Sequence, residues 1–375
     1  MKNTGLKPLI RLLTTITCLI VIASSAYGQS AKNQQAESYK KGKEDFTKGN
    51  FDEAINHFQD AIKLSPTDSA YYGLGHAYLL KGDDQNALLA LNNALQLNPK
   101  FALVYSVRGY LHRKHNEVDL AISDYTKAIE LNPQLLENYT NRQEAYMYKA
   151  DFKLAINDFN KIIELDPKSE PAFRGRGYAY LLIKDPAKAI ADATRVIELN
   201  PNDAEAYKLR ASSYMAMDND YDKAIADYTK AIELSPKDDG SYNNRGAVHF
   251  LKNDFKLAIA DYTKAIELSP KTADYYGSRG KVYTRDGKYD LAKKDLDKAM
   301  ELDPMNGENY YVRGRGYALI GKNELALKDY TKAIELSPND PKAYEYRGKI
   351  YEQTGEKQLA EADLNKAKEL KSNNP

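Results

Sequence analysis

A short phrase recurs along this chain at a nearly fixed interval: Lys, Gln or Glu, then Leu, then Asn, Ser or Asp, then Pro. Its closing prolines are Pro66, Pro99, Pro133, Pro167, Pro201, Pro236, Pro270, Pro304 and Pro338, with gaps of 33, 34, 34, 34, 35, 34, 34 and 34 residues. Separate globular domains would not produce such regularity; one supersecondary unit copied along the chain does. Such a unit cannot bury its apolar face alone, so the copies must stack. The 375 residues therefore resolve into one array, although their length alone would suggest two or three domains.

When each unit is numbered so that its proline is position 32, position 20 is Ala from Ala54 to Ala360 in every unit. Position 8 is Gly throughout except for Ala211 and Gln143, position 27 is Ala except for Ile162 and Val196, and position 4 is aromatic except for Ser38. Positions 4, 8 and 11 share one face of a first helix, and positions 20, 24 and 27 share one face of a second. Glycine inside a helix costs about 1 kcal/mol relative to alanine, so its repetition at position 8 implies a partner helix too close for a larger side chain. Gly49, Gly82, Gly287, Gly321 and Gly355, with Asn116 and Asn253, hold position 15, where a left-handed residue ends the first helix. Asp185-Pro186 and Asp340-Pro341 read as an N-cap followed by proline at the first helical position.

This pattern resembles the tetratricopeptide repeat family. The ninth unit carries it as Tyr310, Arg313-Gly314, Tyr317, Ala326, Tyr330, Ala333 and Pro338. The resemblance implies an all-α fold, a right-handed α-solenoid of ten helix-turn-helix repeats over 35–372. The repeats fall at about 35–67, 68–101, 102–135, 136–169, 170–203, 204–238, 239–272, 273–306, 307–340 and 341–372, with 29–34 as a short linker and 373–375 as a tail. The fourth repeat combines Gln143 with Ile162, which predicts a splayed helix pair. The sixth carries one extra residue in the Met217 to Tyr221 turn. The last repeat lacks the closing proline and leaves no room for a separate capping helix, so an apolar outer face is expected there, open to self-association.

Residues 1–28 form a leader. Lys2, Lys7 and Arg11 precede a twelve-residue apolar stretch from Leu12 to Ala23, and small residues follow at Ala26 and Gly28. Twelve residues are too few to cross roughly 30 Å of hydrocarbon, which takes about 20. The leader therefore reads as a signal peptide cleaved after Gly28, and the expected location is the periplasm or the exterior of a bacterium, with no membrane insertion after cleavage. Removing its three cations takes the formal charge from +1 to −2. That near balance gives no reason to expect a nucleic-acid partner. The single cysteine, Cys18, leaves with the leader, and disulfides, zinc thiolates and cysteine nucleophiles leave with it.

No catalytic, cofactor or metal constellation emerges. The five histidines show no metal-ligand spacing, and His112 and His249 take position 11, where a packed ring is expected. Gly175-Arg176-Gly177 and Gly314-Arg315-Gly316 lie inside first helices rather than in phosphate-binding loops. The recurring Asp-Tyr-Thr-Lys-Ala-Ile-Glu-Leu spaces Asp, Lys and Glu by three and reads as a solvated charged face. Arg at position 7 and Asp at position 23 occur together in eight units, from Arg108 with Asp124 to Arg347 with Asp363, so a ladder of bidentate pairs is available to them. Duplication of one ancestral unit would produce the same co-occurrence. Asn138-Tyr139-Thr140 and Asp68-Ser69-Ala70 match glycosylation triplets.

The resemblance further implies that first helices line a concave groove, where a partner polypeptide or extended peptide lies. Positions 5, 6 and 9 then supply Tyr72, Tyr110, Asn141, Arg174, Tyr178, Lys208, Asn243, Asn244, Lys281, Tyr311, Arg315 and Lys349 as groove residues. Lys281, Arg315 and Lys349 share position 9 in consecutive units, a basic strip suited to an acidic ligand. The leading expectation is a non-enzymatic interaction scaffold. Envelope glycan binding through the groove's Tyr and Asn residues, and end-to-end assembly through the last repeat, are the alternatives.

Overall fold

The computed structural model describes residues 29–217 and 220–373. The proposed leader with Cys18, residues 218–219 of the sixth repeat's turn, and the final residues 374–375 lie outside the described residues. Every regular element among the described residues is an α-helix. The first, α1, covers 29–48. It is followed by α2 (Phe51–Leu64), α3 (Asp68–Lys81), α4 (Asp84–Leu97), α5 (Ala102–Lys114), α6 (Val118–Leu131), α7 (Leu136–Tyr148), α8 (Phe152–Leu165), α9 (Glu170–Leu182) and α10 (Pro186–Leu199). The remainder are α11 (Ala204–Met217), α12 (Tyr221–Leu234), α13 (Asp239–Leu251), α14 (Phe255–Leu268), α15 (Ala273–Arg285), α16 (Tyr289–Leu302), α17 (Gly307–Leu319), α18 (Asn323–Leu336), α19 (Pro341–Thr354) and α20 (Lys357–Asn373). Two compact parts meet in sequence between Ala172 and Phe173. Within each, helices pair in order as the period predicts, which is the tetratricopeptide type of α-solenoid.

The glycine at position 8 is where the two helices of a pair touch. A Cβ on Gly109 would come within 2.8 Å of the Tyr125 ring, one on Gly42 within 2.8 Å of Phe58, and one on Gly75 within 2.9 Å of Leu91. The ring or leucine at position 24 fills the space that the missing side chain leaves. The fifth pair differs, because its position 24 is Ala193; there Leu209 from α11 comes within 2.8 Å of a Cβ on Gly177 and is itself fully buried. In the fourth pair Gln143 and Ile162 are both buried, at 8% and 4% exposure, and α7 and α8 pack less closely than the helices of most other repeats, as the two large residues predict.

All eight Arg–Asp pairs form. Each guanidinium donates from Nε and Nη2 to the two carboxylate oxygens of its partner, as for Arg108 and Asp124 at 2.8 and 2.7 Å or Arg279 and Asp295 at 2.7 and 2.9 Å. Within each part the third nitrogen reaches backward to the second helix of the preceding repeat. Arg108 donates to Asn92, Arg142 to Thr126, Arg245 to Thr229 and Arg279 to Thr263, at 2.7 to 2.9 Å. One side chain thus ties a helix to its own partner and to the repeat before it. Position-4 and position-11 rings stack on the guanidinium, as Tyr139 and Tyr146 do on Arg142. Tyr at position 4 adds a latch, its hydroxyl donating to the previous repeat's proline carbonyl at 3.2 Å for Tyr105 to Pro99 and Tyr276 to Pro270. The high tyrosine count follows from a site that needs a ring at one end and a donor at the other.

Four expectations change. Residues 29–34 are helical and belong to α1, because their Gln, Ser, Ala and Lys composition carries no helix breaker. The Asp of the recurring octapeptide leaves the solvated face: Asp227 and Asp261 are 7% and 6% exposed in the Arg forks, and only Lys230–Glu233 and Lys264–Glu267 remain as surface pairs. Left-handed residues end first helices not only at Gly and Asn but also at Ala150 (φ 59°) and Lys184 (φ 62°). Finally, α20 is 17 residues long and exposes Glu361, Asn365, Lys368 and Glu369, so the expected apolar face on the last repeat is largely polar, with Leu359 and Ala362 as its exposed apolar residues.

Candidate functional site

The first helices α3, α5 and α7 enclose a cavity of about 420 Å³. Three side chains expected in the groove, Tyr72, Tyr110 and Asn141, meet there. The apolar wall comes from Leu79 and Leu80 of α3 and from Leu103 and Val107 of α5. Leu80 and Leu103 are 51% and 43% exposed, so apolar surface is open to a ligand in the concavity. Tyr72 continues a row of rings, 5.8 Å from His76 and 5.2 Å from Phe101. Burial pushes the Tyr72 hydroxyl up and the His76 imidazole down, so both are neutral at pH 7.

The polar end belongs to the start of α7. Asn138 is 1% exposed, and neither its Oδ1 nor its Nδ2 has a hydrogen-bond partner. Position 3 is apolar in five other repeats, at Ala70, Val104, Ala172, Ala206 and Ala343, and polar at Ser241, Tyr275 and Asn309. Beside it, Glu137 is exposed and makes neither an ion pair nor a hydrogen bond among the described residues. Lys114, the cation at the rim, is held by Asp84 at 2.7 Å. Sequence reading missed Glu137 and Asn138. The amide at an often apolar position was their visible signal. Burial of Asn138 also removes the Asn138-Tyr139-Thr140 triplet as a modification site, and Asp68-Ser69-Ala70 starts α3, with Asp68 accepting from Asn98 at 2.6 Å and Ser69 donating to Asp68.

The remaining groove residues stand in the second part. Arg174 pairs with Asp203, and Lys208 lies 2.7 Å from Glu205 and 3.2 Å from Asp238. Tyr178 donates to Glu205 at 3.4 Å, and burial pushes its hydroxyl up to about 12. Asn243 donates to Asn244 at 3.2 Å. Lys281 meets Glu308 at 2.9 Å, and Lys349 is held by Glu345. The basic strip is thereby largely neutralised within the protein, with Arg315 stacked 5.7 Å from the Tyr346 ring centre. Tyr311 is not a groove contact. At 8% exposure it packs between Tyr330 and Tyr346, because position 5 meets the next first helix when that helix carries a ring at position 6.

Family models described as "Tetratricopeptide repeat" match 39–100, 102–135, 144–204, 241–272, 273–306 and 341–374, and one described as "TPR repeat" matches 218–253 and 314–355. The chain belongs to the tetratricopeptide repeat family. A tetratricopeptide repeat protein from Parabacteroides merdae is similar in structure with a TM-score of 0.51 at 22% identity, over 66% of this chain and 98% of that one. The C-terminal part of a TPR repeat-containing protein from Cytophaga hutchinsonii gives 0.55 at 22% identity, over 64% and 98%. Both likenesses concern the fold. In sequence, Superkiller protein 3 of Schizosaccharomyces pombe is 40% identical over 75 residues, which are 20% of this chain and 5% of that protein. Tetratricopeptide repeat proteins generally mediate protein–protein interactions. His112 and His249 sit packed at position 11, His112 against Glu117 at 2.6 Å, as structural side chains do. No helix among the described residues is long and apolar enough to cross a membrane.

Proposed function

We propose that this tetratricopeptide repeat protein is a non-enzymatic scaffold that holds a partner polypeptide against its first helices, with the α3–α5–α7 cavity as the principal contact. The observation that carries the reading is an apolar concavity joined to a buried amide of which neither polar atom has a partner. Apolar walls supply affinity and a few fixed polar groups supply orientation, the usual division of labour in a binding site. The reading also places the chain outside the cytoplasm, on the charge and apolar pattern of residues 1–28; amino-terminal sequencing of the secreted product should begin at Gln29.

A photo-crosslinking residue in place of Tyr110 tests the binding site in cells. It should capture a discrete polypeptide, the same residue in place of exposed Lys127 should not, and Leu79→Ser with Leu103→Ser should abolish the capture. Equal capture from both positions, or none from position 110, would refute the assignment.

A further inference from the structure

The chemistry of the cavity selects among polypeptides. The rim holds one cation and one carboxylate, Lys114 and Glu137. Lys114 and Asp84 cancel each other, and Glu137 is left without a counter-charge. His76 lies on the same wall and is kept neutral by burial. The two halves of the Asn138 amide, an acceptor and a donor, match the two halves of a peptide bond. The comparison within the chain sharpens the point. Glu-Asn-Tyr recurs at Glu308-Asn309-Tyr310, with Asn309 4% exposed and its Nδ2 again without a partner. There the carboxylate is already engaged, since Glu308 lies 2.9 Å from Lys281 and 3.9 Å from Lys342. At the first copy the cation is missing.

Resting on the reading of the cavity as a polypeptide site, we propose that its occupant is an extended segment that seats apolar side chains between Leu79, Leu103 and Tyr110, offers a neighbouring peptide bond to Asn138, and pairs a basic side chain with Glu137. The inference reverses the acidic ligand expected from the position-9 cations, since those at Lys281 and Lys349 are paired within the protein. A cation brought to Glu137 meets a carboxylate flanked by apolar surface, where the pairing is less screened than in open solvent.

The test is fluorescence anisotropy of the full chain with three dye-labelled eleven-residue peptides, identical except for a central Leu-Leu-Arg, Leu-Leu-Gln or Leu-Leu-Glu. The Arg peptide should bind about two- to fivefold more tightly than the Gln peptide, with the Glu peptide weakest. Glu137→Gln should erase the distinction between Arg and Gln. Asn138→Ala should weaken all three while raising the urea midpoint, because it removes a buried amide that has no partner in the free protein. A Glu peptide bound as tightly as the Arg peptide, or a distinction that survives Glu137→Gln, would overturn the inference. A lower urea midpoint in Asn138→Ala would remove the amide from it. If all three bind alike and Leu103→Ser abolishes binding, the basic side chain falls and the polypeptide site stands. If none binds, the inference falls, and crosslinking from position 110 decides the site independently.

Discussion

Replacing Asp295 by alanine removes both bonds of one Arg fork and leaves Arg279 in a niche built for an ion pair. The two lost bonds measure 2.7 and 2.9 Å and are charge-assisted, worth roughly 1.5–3 kcal/mol each against a neutral alternative. The guanidinium keeps its bond to Thr263 at 2.9 Å and its stacking on Tyr283, and its side chain is 16% exposed, so part of the charge recovers hydration. The expected cost is therefore about 2–4 kcal/mol, below that of stranding a fully buried charge. The chain itself contains the control. At the same two positions of the second repeat stand Leu74 and Ala90, 7% and 3% exposed, an apolar pair that closes the same space. Arg279→Leu combined with Asp295→Ala should then fall within about 1 kcal/mol of the parent, since matched removal of an ion pair costs far less than breaking it. Long repeat arrays unfold segment by segment, so the quantity to measure is the opening free energy of α15 and α16 amides by hydrogen exchange with mass spectrometry. A single variant whose protection stays within about 0.5 kcal/mol of the parent, or a double variant as damaged as the single, would refute the argument.

Four further outcomes follow from the packing. Lys184→Gly and Ala150→Gly should each raise stability by about 1 kcal/mol in urea titration, because both residues hold a left-handed φ that glycine adopts freely. Leu209→Ala should cost about 2–5 kcal/mol and loosen exchange in α9 to α11, since this side chain fills the space beside Gly177 that Ala193 leaves. Tyr276→Phe should cost about 0.5–1.5 kcal/mol by the same titration, through loss of the latch to Pro270. Burial depresses the folded-state pKa of His76 and His249 below the ordinary 6.5, so the unfolded chain takes up protons first. Their contribution is complete above about pH 6.5 and is lost as pH falls through the folded values. The urea midpoint should drop between pH 6.5 and 5, and His76→Gln with His249→Gln should flatten that slope.

Much of the fold was legible because its rules are local and repeated. Gly at position 8, Ala at 20 and a ring or leucine at 24 report one helix–helix contact many times over, and a 34-residue period turns each into a statistic. The Arg–Asp forks were legible as co-occurrence only. Their partners stand 16 or 17 residues apart on different helices, and duplication explains the same pattern until the geometry brings Arg108 to Asp124. What escaped were the breaks in the rules. Lys184 and Ala150 end helices without the expected Gly because the flanking hydrogen bonds, such as Asp185 to Tyr180 at 2.8 Å, impose the turn on whatever residue occupies it. Asp261 was read onto a solvated face because a spacing of three says which residues are neighbours on a helix, and says nothing of which side faces the next one.

The candidate site was harder for a related reason. A position number places a cation on a face, whereas its partner comes from the far end of the same repeat or from the next one. Arg174 and Asp203 are 29 residues apart, Lys281 and Glu308 27, and Lys208 and Asp238 30. Each cation looked available because its carboxylate arrives through stacking, which a single unit does not display. The same stacking leaves Glu137 alone: position 9 of its preceding repeat is Tyr110, where the second Glu-Asn-Tyr copy is preceded by Lys281. Exchanging that one residue should move the property. Tyr110→Lys should bring a cation to Glu137 as Lys281 is brought to Glu308, and should remove the preference for a basic peptide while leaving the fold intact. Glu308 freed by Lys281→Tyr with Lys342→Gln should remain an exposed carboxylate at an otherwise similar Asn309. If Tyr110→Lys leaves the Arg-over-Gln preference of the peptides unchanged, the charge of the cavity is not what selects its occupant, and selection would fall to its apolar wall alone.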